Sequence, residues 1–150
     1  MQKIRLFKIL LILLGLITFQ SCTDYGYVED TAFIGTWELK GRKIYTGMKV
    51  RIEKENGKLK GYIISPPDSN YGEIFIENGK TWITKIDRGA NYYFKITENK
   101  IAGELFSQYD IKANSSFYAT FSEEKDKIYL VEKRPNKLID VSDIYYERIK

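Results

Sequence analysis

The 150-residue chain contains no histidine. That absence removes imidazole acid–base catalysis, Ser-His-Asp and Cys-His nucleophiles, and His-ligated metal sites. Its single cysteine, Cys22, closely follows the most apolar run in the sequence. That run, Ile9 to Phe19, is eleven residues; as a helix it would span about 16 Å against a hydrocarbon core of about 30 Å, too short for a comfortable membrane span. Beyond it no window sustains a 3.6-residue apolar period, so long helices are not expected. No Gly-rich phosphate cradle is present, and no cofactor or metal is expected. Three of the 24 basic residues and none of the 20 acidic ones precede Cys22, so the chain from Cys22 onward carries a net charge of about +1. With mixed signs along the chain and no basic stripe, there is no charge-based case for nucleic acid binding.

What is present begins with the leader. Met1 to Lys8 carries Lys3, Arg5 and Lys8 with no acidic residue, followed by the apolar run and then Gln20, Ser21 and Cys22. A basic segment, an apolar segment and a cleavage-distance cysteine together resemble a bacterial lipoprotein signal peptide. The resemblance implies that residues 1–21 are removed and that Cys22 is lipidated. Each buried methylene of an acyl chain contributes on the order of 0.8 kcal/mol, so two or three chains hold a protein on a membrane without a spanning helix. Phe19 and Gln20 are bulkier than the small residues usual before such a cysteine. An ordinary secretory leader cut nearby would instead leave Cys22 a free thiol in an oxidising compartment. Thr23, rather than aspartate, after Cys22 implies by the same resemblance the outer membrane of the cell envelope.

Residues 22–32 suit a lipidated cysteine and tether, being polar and carrying Asp24, Glu29 and Asp30. Asp30-Thr31-Ala32 resembles the acidic-hydroxyl-small tripeptide to which some diderm bacteria attach O-glycans; an ordinary turn entering the first strand explains it as well.

Residues 33–150 read as a single domain of successive strands. Met48, Val50 and Ile52 alternate with Lys49, Arg51 and Glu53, and Tyr92, Phe94 and Ile96 alternate with Tyr93, Lys95 and Thr97. Period two with polar partners predicts half-buried antiparallel strands. Asn56-Gly57 and Asn78-Gly79 suit tight hairpin turns, and Glu98-Asn99-Lys100 reads as a third turn. Further strands are expected over 35–44, 117–122, 127–133 and 144–149. An all-β, antiparallel up-and-down meander of about eight to ten strands follows, which closing into a barrel would relieve of exposed edges.

Gly35-Thr36-Trp37 opens the first of these strands and Arg148 lies on the last. This arrangement resembles the lipocalin and fatty-acid-binding superfamily, in which a Gly-x-Trp on the first strand is covered by a basic side chain from the final one. The resemblance implies a lipocalin-like barrel in which Gly35, Trp37 and Arg148 are structural, closing one end. A guanidinium over an indole face is worth about 0.5 to 2 kcal/mol. Trp37 would serve equally as a core tryptophan of another small β fold.

Twelve tyrosines, eight phenylalanines and two tryptophans make an interior of large side chains. Trp82, Tyr92, Phe94, Phe117 and Phe121 are candidates for lining a ligand pocket and equally for a solid core. In Tyr92-Tyr93 and Tyr145-Tyr146 neighbouring rings point to opposite faces, leaving one of each pair outside, where a tyrosine suits protein or glycan contacts. Asp140, Asp143 and Glu147 cluster in sequence without further support for carboxylate-pair catalysis. Asp68 to Glu73 (DSNYGE) lacks the ligand spacing of a calcium loop, and Asn114-Ser115-Ser116 fits a glycan sequon only formally. Three functions remain in view. One is a lipid-anchored barrel binding a small apolar or amphipathic molecule. Another is an envelope protein docking a protein partner, of inhibitor or immunity type, through loops 65–73, 107–116 and 134–143. The third, an enzyme, is disfavoured by the missing histidine.

Overall fold

A computed structural model describes residues 26–67, 76–99 and 114–150; the leader, Cys22, the 68–73 segment and most of the 107–116 loop lie outside them. A 3-10 turn, Asp30–Phe33, leads into eight strands: β1 Gly35–Lys40, β2 Lys49–Glu55, β3 Lys58–Ser65, β4 Thr81–Arg88, β5 Tyr93–Asn99, β6 Asn114–Phe121, β7 Lys127–Val131 and β8 Tyr145–Arg148. Each pairs antiparallel with its neighbour, and β8 returns to β1, so the meander expected from the sequence closes into an eight-stranded barrel. Such a barrel is compatible with a lipocalin-like fold.

The alternation that predicted the strands also fills the interior. Trp37 and Leu39 on β1, Val50 and Ile52 on β2, Phe94 and Ile96 on β5, Ile128 and Leu130 on β7 and Tyr146 on β8 are all buried in one apolar core. β4 departs from alternation. Its register shifts against both β3 and β5, and neighbouring Trp82 and Ile83 both join the core. A bulge costs ladder regularity but re-aims a side chain, here bringing an extra indole inward.

Only one of the three expected turns is a tight hairpin. Asn56 and Gly57 take φ of 49° and 77°, the left-handed pair that a two-residue connection requires. Asn78-Gly79 is a turn in a longer connection, held by the Gly79 N–H on the Ile63 carbonyl at 2.7 Å. Glu98-Asn99 is no turn: β5 runs through both residues and pairs Asn99 with Asn114. Tertiary bonding overrides the local turn preference there, since Glu98 is anchored inside the barrel and Asn99 Nδ2 donates to the Thr81 carbonyl at 2.7 Å.

The two ends differ. At one end the strands are joined by the short connections 56–57, 89–92 and 122–126, and at the other by 41–48, 66–80, 100–113 and 132–144. The short-turn end is plugged. Phe33 from the 3-10 turn is fully buried, with its ring 4.6 Å from Phe94 and 4.7 Å from Phe121 in edge-on contacts. Val28 is buried as well, and Arg88 Nη2 donates to its carbonyl at 2.6 Å and to Asp30 at 2.8 Å. Val28 to Phe33 therefore belong structurally to the closed end of the barrel.

The 132–144 connection does not project from the barrel. It folds back on the outer face of β5 and β6, where Arg134 lies 5.3 Å from the Tyr93 ring and the Asp140 backbone exchanges two 3.1 Å hydrogen bonds with the Thr120 hydroxyl. Tyr93 and Thr120 face outward yet are buried for this reason.

Candidate functional site

At the long-loop end the barrel encloses a chain of polar side chains. Glu98 continues the inward series Phe94, Ile96, Glu98 along β5 and is 1% exposed. A carboxylate removed from water costs several kcal/mol unless its oxygens are bonded, and both oxygens of Glu98 are. Arg42 Nη1 donates to Oε2 at 2.5 Å, and the Tyr146 hydroxyl donates to Oε1. Trp82 Nε1–H in turn donates to the Tyr146 oxygen at 2.7 Å. Four residues from β4, β5, β8 and the 41–48 connection thus form one continuous path.

Arg42 reaches this interior position because the chain reverses immediately after β1. Gly41 has φ +79°, and a Cβ there would sit 1.9 Å from the Asp143 carbonyl oxygen, so only glycine fits. The Arg42 carbonyl accepts from the Tyr45 N–H at 2.9 Å and the Thr46 hydroxyl at 2.6 Å, closing a compact turn. Tyr45 lies 5.0 Å from Trp82, and the Arg42 guanidinium stands 4.4 Å over the Phe117 ring. Arg42 Nη2 is buried and pairs with nothing among the described residues. Leaving a buried donor of a charged group unpaired costs more than about 1–3 kcal/mol.

Burial pushes the Tyr146 phenol well above its ordinary value, reinforced by the Glu98 charge and the hydrogen bond to that carboxylate. The folded protein therefore keeps this proton when the unfolded chain has lost it. Stability is unaffected by this group below the ordinary tyrosine value of 10.0 and falls as the pH rises above it, by up to about 1.4 kcal/mol per pH unit. Tyr146→Phe is expected to flatten that alkaline slope by the same amount, in urea titrations between pH 9 and 11.5. Tyr62, raised through its bond to Glu55, contributes equally to both proteins and cancels in the comparison. An unchanged slope would place the phenol in contact with water.

The residues singled out in the sequence divide between the two ends. Trp37, fully buried, donates its indole N–H to the Phe33 carbonyl at 2.7 Å. Arg148 stands 4.2 Å over its ring and donates to the Ala32 and Ile34 carbonyls, the latter at 2.9 Å. Gly35 has φ +139°, a backbone conformation that favours glycine, and a Cβ there would lie 2.7 Å from Arg148 Nη1, which would have to shift. Of the tentative pocket residues, Phe94 and Phe121 belong to the solid plug with Phe33, whereas Trp82 and Phe117 border the polar chain. Tyr92 precedes β5, against the Tyr93 ring at 5.6 Å, outside the core cluster. Asp140 pairs with Lys137 at 3.6 Å and Glu147 with Lys127 at 3.8 Å, at half-exposed or exposed positions.

Glu98 and Arg42 escaped the sequence reading, and Tyr146 figured only as half of a tyrosine pair. A signal for Glu98 existed: carrying the inward alternation of β5 two residues past Ile96 lands on it. For Arg42 there was none, since a basic residue in a glycine turn reads as solvated. The chain matches no protein-family model, no curated protein and no solved structure.

Proposed function

We propose that this protein is a lipid-anchored lipoprotein of the bacterial cell envelope, lipocalin-like and non-catalytic. In this reading its barrel binds a small apolar or amphipathic molecule at the long-loop end. The observation that carries the reading is the chain Arg42, Glu98, Tyr146 and Trp82 inside the barrel, a polar chain that apolar residues could have replaced in a barrel needing only a core. The closed barrel, its plugged opposite end and the leader ending at Cys22 support it. At that end Arg42 and Tyr45 of the 41–48 turn lie on Glu98 and Trp82.

The protein-docking alternative draws on Leu138 and Val141, 44% and 69% exposed on the 132–144 connection. It is weakened by four outer tyrosines that pack against one another in pairs, Tyr93 with Tyr118 and Tyr129 with Tyr145, and are half-buried or buried. Native mass spectrometry of the full chain expressed in a diderm bacterium, extracted in mild detergent, tests the proposal. The expected result is a polypeptide beginning at Cys22 with an acyl-glyceryl increment, and a small molecule lost on denaturation. A bare polypeptide without a co-purifying molecule would move the odds to docking; an unmodified Cys22 would remove the anchor.

A further inference from the structure

The place where the chain leaves the barrel on its N-terminal side limits which part of the domain can meet a bilayer, an inference that rests on the lipid anchor proposed above. Val28 is fixed at the closed end by its N–H on the Asn91 carbonyl at 2.9 Å. Just before it, Gly26 packs against two other segments: a Cβ there would lie 2.1 Å from Leu138 Cδ1 and 3.4 Å from Tyr92 Cβ. Cys22 is four residues earlier, and a chain of that length reaches at most about 14 Å by any path. β5 runs seven residues from beside Tyr92 to the long-loop end, which is about 20 Å. A lipidated Cys22 at the bilayer surface therefore keeps the side of the barrel at Tyr92 and Leu138 close to it, and falls short of the long-loop end.

The surface at that point suits the contact. Tyr27 and Leu138 are exposed and Tyr92 is half-buried; tyrosine and apolar side chains at a surface favour the interfacial layer of a bilayer. Leu138 ends the stretch Lys133-Arg134-Pro135-Asn136-Lys137-Leu138, whose three basic residues are all exposed and which contains no acidic one. Arg134 lies over the Tyr93 ring, itself 5.6 Å from Tyr92, so basic and aromatic groups form one continuous flank. Against these charges stand Asp140, 3.6 Å from Lys137, and the exposed Glu132. The tip of the closed end differs, because the 122–126 turn exposes Glu123 and Glu124. Anionic lipid attracts the basic flank and repels the acidic tip. We propose that the anchored barrel lies on an anionic bilayer through Tyr27, Tyr92, Lys133, Arg134, Lys137 and Leu138, with its long-loop end turned toward water.

Nitroxide labels on the full chain, produced in a diderm bacterium and returned to vesicles of mixed phosphatidylcholine and phosphatidylglycerol, test the placement. Lipidation consumes the Cys22 thiol, so Asn136→Cys on the proposed contact and Lys43→Cys on the 41–48 connection, both exposed positions, can be labelled one at a time. The label at 136 is expected to collide with a neutral, water-soluble nickel chelate about fivefold less often than the label at 43, as interfacial burial requires. Vesicles of phosphatidylcholine alone, or the added changes Lys133→Glu/Lys137→Glu, should restore most of the collisions at 136 while the protein still floats with the lipid. Equal collision rates at the two positions, a shielded label at 43, or shielding at 136 that neither change relieves would overturn the placement and leave the anchor intact. A chain that carries no acyl increment and floats with neither kind of vesicle would overturn the anchor, and the placement with it.

Discussion

Trp37→Ala is expected to lower the unfolding free energy by about 3 to 5 kcal/mol, seen as a lower urea midpoint at unchanged slope. The indole is fully buried between the plug and the last strand. Its truncation acts three ways at once. It opens a cavity against Phe121, whose ring is 6.3 Å away. It leaves the Phe33 carbonyl without the indole N–H, and it removes the surface over which Arg148 lies. Because Arg148 also bonds the Ala32 and Ile34 carbonyls, loosening it frees the segment that plugs the barrel. Unfolding of residues 28–33 should therefore accompany the loss, visible as faster amide exchange at Ile34, whose N–H bonds the Thr31 carbonyl. A change below about 1 kcal/mol would mean that the plug contributes little to the closed end.

Legibility in the sequence followed physical range. β2 and β5 declared themselves through strict alternation, and Asn56-Gly57 through a backbone conformation that few residue pairs adopt. These signals are local, and the barrel closes largely by repeating them. Reading failed where a distant contact decided the outcome. Glu98-Asn99 has turn chemistry, but hydrogen bonds to Arg42 and Tyr146 hold it as a strand. Tyr93 alternates outward as expected, yet it is buried because residues 132–144 return across it. Nothing in the composition of that connection announced its path. The candidate site suffered most, since its members come from residues 42, 82, 98 and 146 and meet only after closure. Their shared property, bonding to one another inside an apolar barrel, exists at no single position.

Glu98→Leu is expected to cost about 3 to 5 kcal/mol, because the largely buried Arg42 cation would remain without its partner and Tyr146 would lose its acceptor. Adding Arg42→Met removes the stranded charge. The double variant should recover most of the loss, and replacing a buried pair with apolar residues can even exceed the original stability by about 1–4 kcal/mol. A double-mutant cycle by urea denaturation measures this coupling directly. Its outcome bears on function as much as on folding. If the apolar pair restores stability, the barrel does not need Arg42 and Glu98 in order to fold, and their place in its interior has to be explained by recognition. If the double variant is as unstable as Glu98→Leu alone, the pair is part of the architecture, holding the 41–48 turn against β5. The polar chain would then be a structural network, and the binding reading would lose the observation that carries it.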